Sequence, residues 1–275
     1  MDWKIKKKVQ MSEAVSSSQL QLNAGQKTKE ECIRNVGDLQ RNPIPERPDP
    51  VRFEKHNFIS SRFKEIRSND IFDVQMQYPL LGMEHAETKC LVREEVYDRL
   101  LFAAKELPEG CRFVIYDAWR PFELQKELFQ KYSLAIIQEF ALENSSEEEK
   151  KAGILKFVSE PVADRFLPPV HTTGGAIDLT IRDAQGQIIP MGTGFDAFTD
   201  KTHTTYFEQH KQQENAEEIR NNRRLLYSVM TNAGFTNLPS EWWHFDYGDR
   251  FWAYYTGQPA MYSGVFTKDE ITVIC

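Results

Sequence analysis

HTTGGAID at residues 171–178 and EWWH at 241–244 decide how this chain is read. Together they offer two imidazoles and a carboxylate, His171, Asp178 and His244, the ligand types that a catalytic Zn2+ takes with one position left open for water. Glu241 stands three residues before His244, where a carboxylate can take that water's proton. This is the minimum apparatus for metal-assisted hydrolysis of an amide. Each residue also has a plainer reading. A lone His beside an apolar strand is ordinarily a satisfied structural residue, and Asp178 alone could face solvent. Gly174 and Gly175 shift the balance, because they let the backbone fold so that His171 and Asp178 reach one point. A Glu and a His flanked by Trp242 and Trp243 are costly to bury unless paired or ligated, the alternative being an aromatic core strand with one buried ion pair.

The segments around these motifs place them on strands. AIDLTIRD, a turn at AQG and QIIPM read as a β-hairpin, with Asp178 on its first arm and His171 in the loop before it. WWHFDY is aromatic and β-prone, so His244 is also expected on a strand and the site bridges two strands of one sheet. LVREEVYDRLLFAAKEL (91–107) has helical apolar spacing, CRFVIYDAW reads as a buried strand, and Pro121 suits the first turn of a helix over FELQKELFQKY. Ser146 and Glu149 form a capping box opening an acidic helix through 156, and Gly234 ends a helix over NNRRLLYSVMTNAG. Arg120 in YDAWRP falls at a strand-to-helix junction. By default it pairs with Asp117; functionally, its forked cation could stabilise the oxyanion of a tetrahedral intermediate while Asp117 orients it. MGTGFDAFTDKTH (191–203) lacks phosphate-loop spacing and reads as a loop over a pocket. His56, His85, His203 and His210 have no ligand-like partners at useful spacing.

With 275 residues, 40% hydrophobic and 27% charged, the chain has the composition of a globular protein able to bury a sizeable core. Its net charge of -7 argues against a nucleic-acid partner, and Lys4, Lys6, Lys7 and Lys8 read as a solvated tail. Cys32, Cys90, Cys111 and Cys275 show no C-x-x-C spacing and are expected as free thiols, with Cys111 buried in its apolar run. Residues 1–50 read as a polar arm ending in the proline-rich linker RNPIPERPDP, and 51–275 as the catalytic domain. No continuous apolar stretch forms a secretory signal or a membrane span, so the expected location is cytoplasmic, or periplasmic if an export signal was removed or is atypical.

The motifs together resemble a known family. HTTGGAID is similar to the pattern S-x-H-x-x-G-x-A-x-D, EWWH to E-x-W-H, and YDAWRP to the arginine-bearing strand end of the zinc D-alanyl-D-alanine dipeptidases. These belong to the group associated with vancomycin resistance, peptidase family M15, related to zinc D,D-carboxypeptidases and the hedgehog signalling domain. The likeness runs from about residue 50 to 265 and takes in MGTGFDAFTDKTH, NRRLLYSVMTNAGF and EWWHFDYGDRFWAYY. It implies an α+β fold with a central, mostly antiparallel sheet flanked by helices, and hydrolysis of D-Ala-D-Ala and related small D,D-dipeptides. It also implies one Zn2+ per chain on His171, Asp178 and His244, Glu241 as general base, Arg120 as transition-state stabiliser, and Asp196 as receiver of the substrate ammonium. One departure stands out: the family's Ser two residues before the first His is Pro169 here. Two rival readings stay open, a zinc D,D-carboxypeptidase or endopeptidase on peptidoglycan stems, and a zinc-stabilised binding module without turnover.

Overall fold

The computed structural model describes residues 37–274, which fall within one unit, Val36–Cys275. In chain order its strands and longer helices are β1 (Phe63–Ile66), β2 (Phe72–Val74), β3 (Cys90–Arg93), α1 (Glu94–Ala104), β4 (Arg112–Asp117), α2 (Phe122–Glu139), α3 (Glu147–Leu155), β5 (Ala176–Arg182), α4 (Ala216–Asn232), β6 (Thr236–Asn237), β7 (His244–Asp246), α5 (Arg250–Thr256) and β8 (Val273–Ile274). The central sheet has the order β2-β4-β5-β7-β6, and only the β2–β4 pair is parallel. A smaller sheet, β3-β1-β8, accompanies it. The fold is α+β with a mostly antiparallel central sheet and flanking helices.

The central strands carry β-branched and aromatic residues, and every residue of β5 before Arg182 is buried. Such a strand is covered on both faces, so it is apolar apart from Thr180 and the Asp178 that the site needs. One apolar cluster joins Val96 and Leu100 of α1, Phe113 and Ile115 of β4, Leu179 and Ile181 of β5, and Leu226 and Val229 of α4. Each such side chain contributes roughly 1.5–3 kcal/mol by leaving water, so this cluster anchors the sheet that presents the site. No helix among the described residues is long and apolar enough to cross a membrane.

Several local expectations are modified. The segment expected as one helix over 91–107 begins as strand β3, because Cys90 to Arg93 are all buried and pair with β1. The return arm QIIPM forms only a bridge between Arg182 and Ile188, and Pro190, which lacks an N–H, cannot extend the ladder. The capping box at Ser146 and Glu149 is present. Gly234, with φ of 90°, follows α4, and a Cβ there would lie 2.6 Å from the Arg99 guanidinium. Cys111 is half-buried at a turn before β4, not buried as expected; Cys90 is the buried thiol, and both are free. The lysine cluster, Cys32 and Cys275 lie outside the described residues.

The last part of the expected arm belongs to the same unit as the sheet. Leu39 and Ile44 are buried, the Leu39 carbonyl accepts from Ser228 Oγ of α4 at 3.1 Å, and the Pro48 carbonyl accepts from the Tyr255 hydroxyl of α5 at 2.8 Å.

Candidate active site

Strands β5 and β7 are neighbours, and their register sets Asp178 directly opposite His244. Directly paired residues of an antiparallel ladder project to the same face with Cβ atoms about 5 Å apart, so pairing alone brings this carboxylate and imidazole together. His171 reaches them from a single 3-10 turn, residues 170–173, that ends on Gly174 with φ of 75°. Gly175 then passes so close to β7 that a Cβ would lie 2.6 Å from the Tyr247 carbonyl. The two glycines therefore supply a left-handed turn and a close backbone approach, neither of which a larger residue accommodates.

Three donor atoms converge as a result. His171 Nε2 is 3.3 Å from Asp178 Oδ2, His244 Nδ1 is 3.0 Å from Asp178 Oδ1, and the two ring nitrogens are 3.1 Å apart. All lie within 4.8 Å of one another and are buried, so the trio can hold a metal ion. Their outer partners assign the tautomers. His171 Nδ1–H donates to the Ala118 carbonyl at 2.8 Å, and His244 Nε2–H donates to Asp246 Oδ1 at 2.8 Å. Each ring thus turns a lone pair inward and anchors its N–H outward, the usual arrangement behind metal-ligating histidines. Two lone pairs and a carboxylate facing one point in a buried site call for a cation, and the residues present fit Zn2+. Burial opposes charge on His244, yet Asp246 and Asp178 hold its pKa well above the usual range, so without a cation Nδ1 carries a proton that a metal would displace; burial would raise Asp178, but His171 and His244 hold it well below. Asp246 leans in turn on Asp249, which caps α5 through Phe251 N and Trp252 N; burial and then Asp246 push its carboxyl well up.

Glu241 sits on the bend before β7. The Asn237 amide donates to the Glu241 and His244 carbonyls, at 3.0 and 2.9 Å, and so pins that bend. Glu241 Oε2 stands 3.8 Å from His244 Nδ1, and burial, partly offset by His244, pushes its pKa up to about 8. Arg120 leaves the end of β4 and is buried. Its Nε and Nη2 donate to Asp117 Oδ2 at 3.0 and 2.8 Å, so Asp117 orients it, while Nη2 lies 4.0 Å from Asp178 Oδ2. Both the structural pairing and the placement beside the ligands are thus present in one side chain.

Asp196 lies in the 191–203 loop with φ of 54°, a left-handed conformation unusual for a non-glycine residue. Its Oδ2 accepts from the Tyr78 and Tyr132 hydroxyls at 2.9 and 2.7 Å, and burial pushes its pKa up to about 6. One cleft is lined by His171, Asp178, His244, Glu241, Arg120 and Asp196 together, and also by Pro169, which offers no hydroxyl there. None of His56, His85, His203 and His210 lines it. Sequence reasoning missed Tyr78, Tyr132, Gln125 and the wall Phe157–Ser159, which carry no motif and reach the cleft only through tertiary packing. It also missed Asp246, for which a signal existed: strand periodicity puts residues 244 and 246 on one face.

Comparison with known proteins identifies the family. Residues 80–262 match the family model of peptidase family M15, described as D-Ala-D-Ala dipeptidase. The D-alanyl-D-alanine dipeptidase of Escherichia coli is 31% identical over 168 residues, covering 59% of this chain and 69% of that protein. The dipeptidase of the same name from Synechocystis is 28% identical over 171 residues, covering 58% and 69%. A crystal structure of the vancomycin resistance D,D-pentapeptidase VanY in complex with Zn(II) overlaps at 18% identity and a TM-score of 0.30, covering 72% of this chain and 94% of that one. The matched span contains every residue of the cleft named above except Tyr78, and the chain belongs to the D-Ala-D-Ala dipeptidase family of M15 peptidases.

Proposed function

We propose that this chain hydrolyses D-alanyl-D-alanine and related D,D-dipeptides to free amino acids, with one Zn2+ held by His171, Asp178 and His244. The observation that carries this reading is the convergence of those three buried donor atoms within 4.8 Å, in a cleft that also holds Glu241 and Arg120. When bound, Zn2+ supplies Lewis acidity, acidifying water and polarising the scissile carbonyl. Glu241 takes the proton of the attacking water and later delivers it to the departing amine. Its proton affinity, lifted by burial, suits a group that must hold that proton between two transfers. Arg120, fixed by Asp117, faces the oxygen on which negative charge develops. Asp196 receives the substrate ammonium through the carboxylate oxygen that Tyr78 and Tyr132 leave unused. A cleft that reads the amino end of its substrate in this way favours a short peptide over a long stem.

The test is a peptide panel, D-Ala-D-Ala against a pentapeptide stem, with and without a chelator. Chelator-sensitive release of D-Ala from the dipeptide, with little from the stem, is expected; preference for the stem would move the assignment to a D,D-carboxypeptidase. Glu241→Ala should keep the metal and lose turnover by roughly two or more orders of magnitude, general acid–base catalysis being worth about that much. His171→Ala should lose the metal itself.

A further inference from the structure

Gln125 lies in the first turn and a half of α2 and is 1% exposed. Both ends of its amide are used: Oε1 accepts from Arg120 Nη1 at 2.6 Å, and Nε2 donates to the Ser159 carbonyl at 2.8 Å. The partners fix which end is which, since a guanidinium only donates and a carbonyl only accepts.

A guanidinium carries five N–H bonds. Arg120 directs Nε–H and one Nη2–H to Asp117, the other Nη2–H to the Tyr78 hydroxyl at 3.2 Å, and one Nη1–H to Gln125. The second Nη1–H has no acceptor among the described residues, which makes it the donor left for a substrate oxygen. It sits on the nitrogen that Gln125 alone holds.

Ser159 belongs to a strap, residues 157–159, that follows α3 and walls the cleft. Val158 is buried with Ile136 and Ile154. Phe157 stacks on Phe140 and meets Phe198, in the Asp196 loop, with ring centroids 5.3 and 5.6 Å away. Gln125 is thus a polar tie between this strap and Arg120. Were the strap to lift, the amide would lose its outer partner in a buried place and turn with it, and Nη1 would follow.

We propose that Gln125 is a positioning residue that couples docking of the 157–159 strap to the orientation of the Arg120 donor, so that a substrate too long for the closed cleft also loses oxyanion stabilisation. The proposal rests on the reading of Arg120 given above. Displacing a reacting group by about 1 Å can cost on the order of a hundredfold in rate, so a small movement of the strap suffices.

Three single variants, one double variant and Arg120→Lys test it. Gln125→Glu keeps an acceptor for Arg120 but cannot donate to Ser159; Gln125→Leu removes both contacts; Phe157→Ala loosens the strap without touching Arg120. For D-Ala-D-Ala, Gln125→Glu and Gln125→Leu should each lower kcat roughly tenfold or more at nearly unchanged KM, the pattern of an interaction made in the transition state. Phe157→Ala should lower kcat too, and add little on top of Gln125→Leu, since residues acting through one contact are not additive. Hydrogen exchange at the amides of residues 157–160 should quicken in both Gln125 variants and, reciprocally, in Arg120→Lys. Wild-type kcat and strap exchange in Gln125→Glu, or additive losses in the double variant, would overturn the proposal. If the wild-type chain cleaved no D,D-dipeptide, the functional reading would fall by itself; unchanged strap exchange in Gln125→Glu and Arg120→Lys would then sink the coupling separately.

Discussion

Asp246 decides which nitrogen of His244 can hold a metal. By accepting Nε2–H it leaves Nδ1 as the nitrogen turned toward Asp178 and free to exchange its proton for a metal, and it does so from full burial. In Asp246→Asn the amide can donate to Nε2 and push the proton to Nδ1, the atom the site needs unprotonated. Metal affinity should fall roughly 10- to 100-fold, as for other outer partners of ligating histidines, measured by competition with a chromophoric chelator. Undiminished affinity would mean that Nδ1 is not the ligand. Asp196 sets a second expectation, with two signs. Its folded pKa, about 6, lies above the ordinary 3.8, so the folded state binds this proton more tightly. The stabilisation is present below about pH 4 and is lost as pH rises through about 6, an upper bound of roughly 3 kcal/mol at 1.36 per pKa unit. Asp196→Asn should therefore melt higher than wild type at pH 7.5 and no higher at pH 4. Activity runs the opposite way, because only the charged carboxylate receives an ammonium. Wild-type kcat/KM should fall as pH drops through about 6, and Asp196→Asn should lose that limb and raise KM. A melting gain with unchanged KM would remove Asp196 from substrate binding.

At the scale of elements, the site depends on how closely β5 and β7 approach, and Gly175 controls that approach. An Ala there puts Cβ 2.6 Å from the Tyr247 backbone carbonyl, which no side-chain rotation relieves. Gly175→Ala should cost about 1–3 kcal/mol, the usual penalty for overpacking, and weaken metal binding because Ala176 pairs Asp246 beside it. A thermal melt and a metal titration check both; unchanged values would show that the strands are not held at this point. The pairing of Asp178 with His244 was legible in sequence because each motif sits in a short β-prone run bounded by turn residues. The register that sets them opposite was not, since it is a long-range choice made by the core. The same burial overrode helix spacing at Leu91–Arg93 and turned the first three residues of an amphipathic pattern into the end of β3. Gln125 was hidden for a related reason: on α2 it reads as one more polar helix residue, and only the approach of Arg120 and Ser159 gives it a task.

For the molecule as a whole, the proline-rich stretch after residue 41 looks like a spacer, because four prolines forbid regular hydrogen bonding. Prolines do not forbid docking, however, and a stiff extended segment loses little entropy when it binds a surface. Leu39 and Ile44 are buried, Arg224 Nη1 donates to the Gln40 carbonyl at 3.1 Å, the Ile44 amide donates to Glu208 at 3.2 Å, and Asp49 accepts from Ser240 N at 3.2 Å just before Glu241. The segment therefore fastens α4, α5 and the bend that carries the proposed base. Burial of the two aliphatic side chains alone is worth roughly 3–6 kcal/mol. A chain that starts at Val51 should accordingly melt about 10 °C or more below the full chain, at roughly 2–4 °C per kcal/mol for a protein of this size. Its metal affinity should change less than its stability, because the three proposed ligands stand on β5, β7 and the 3-10 turn, which this segment does not hold. A full-length melting temperature in the truncated chain would return residues 37–50 to the role of a spacer, whereas loss of the metal at unchanged stability would tie the segment to the site itself.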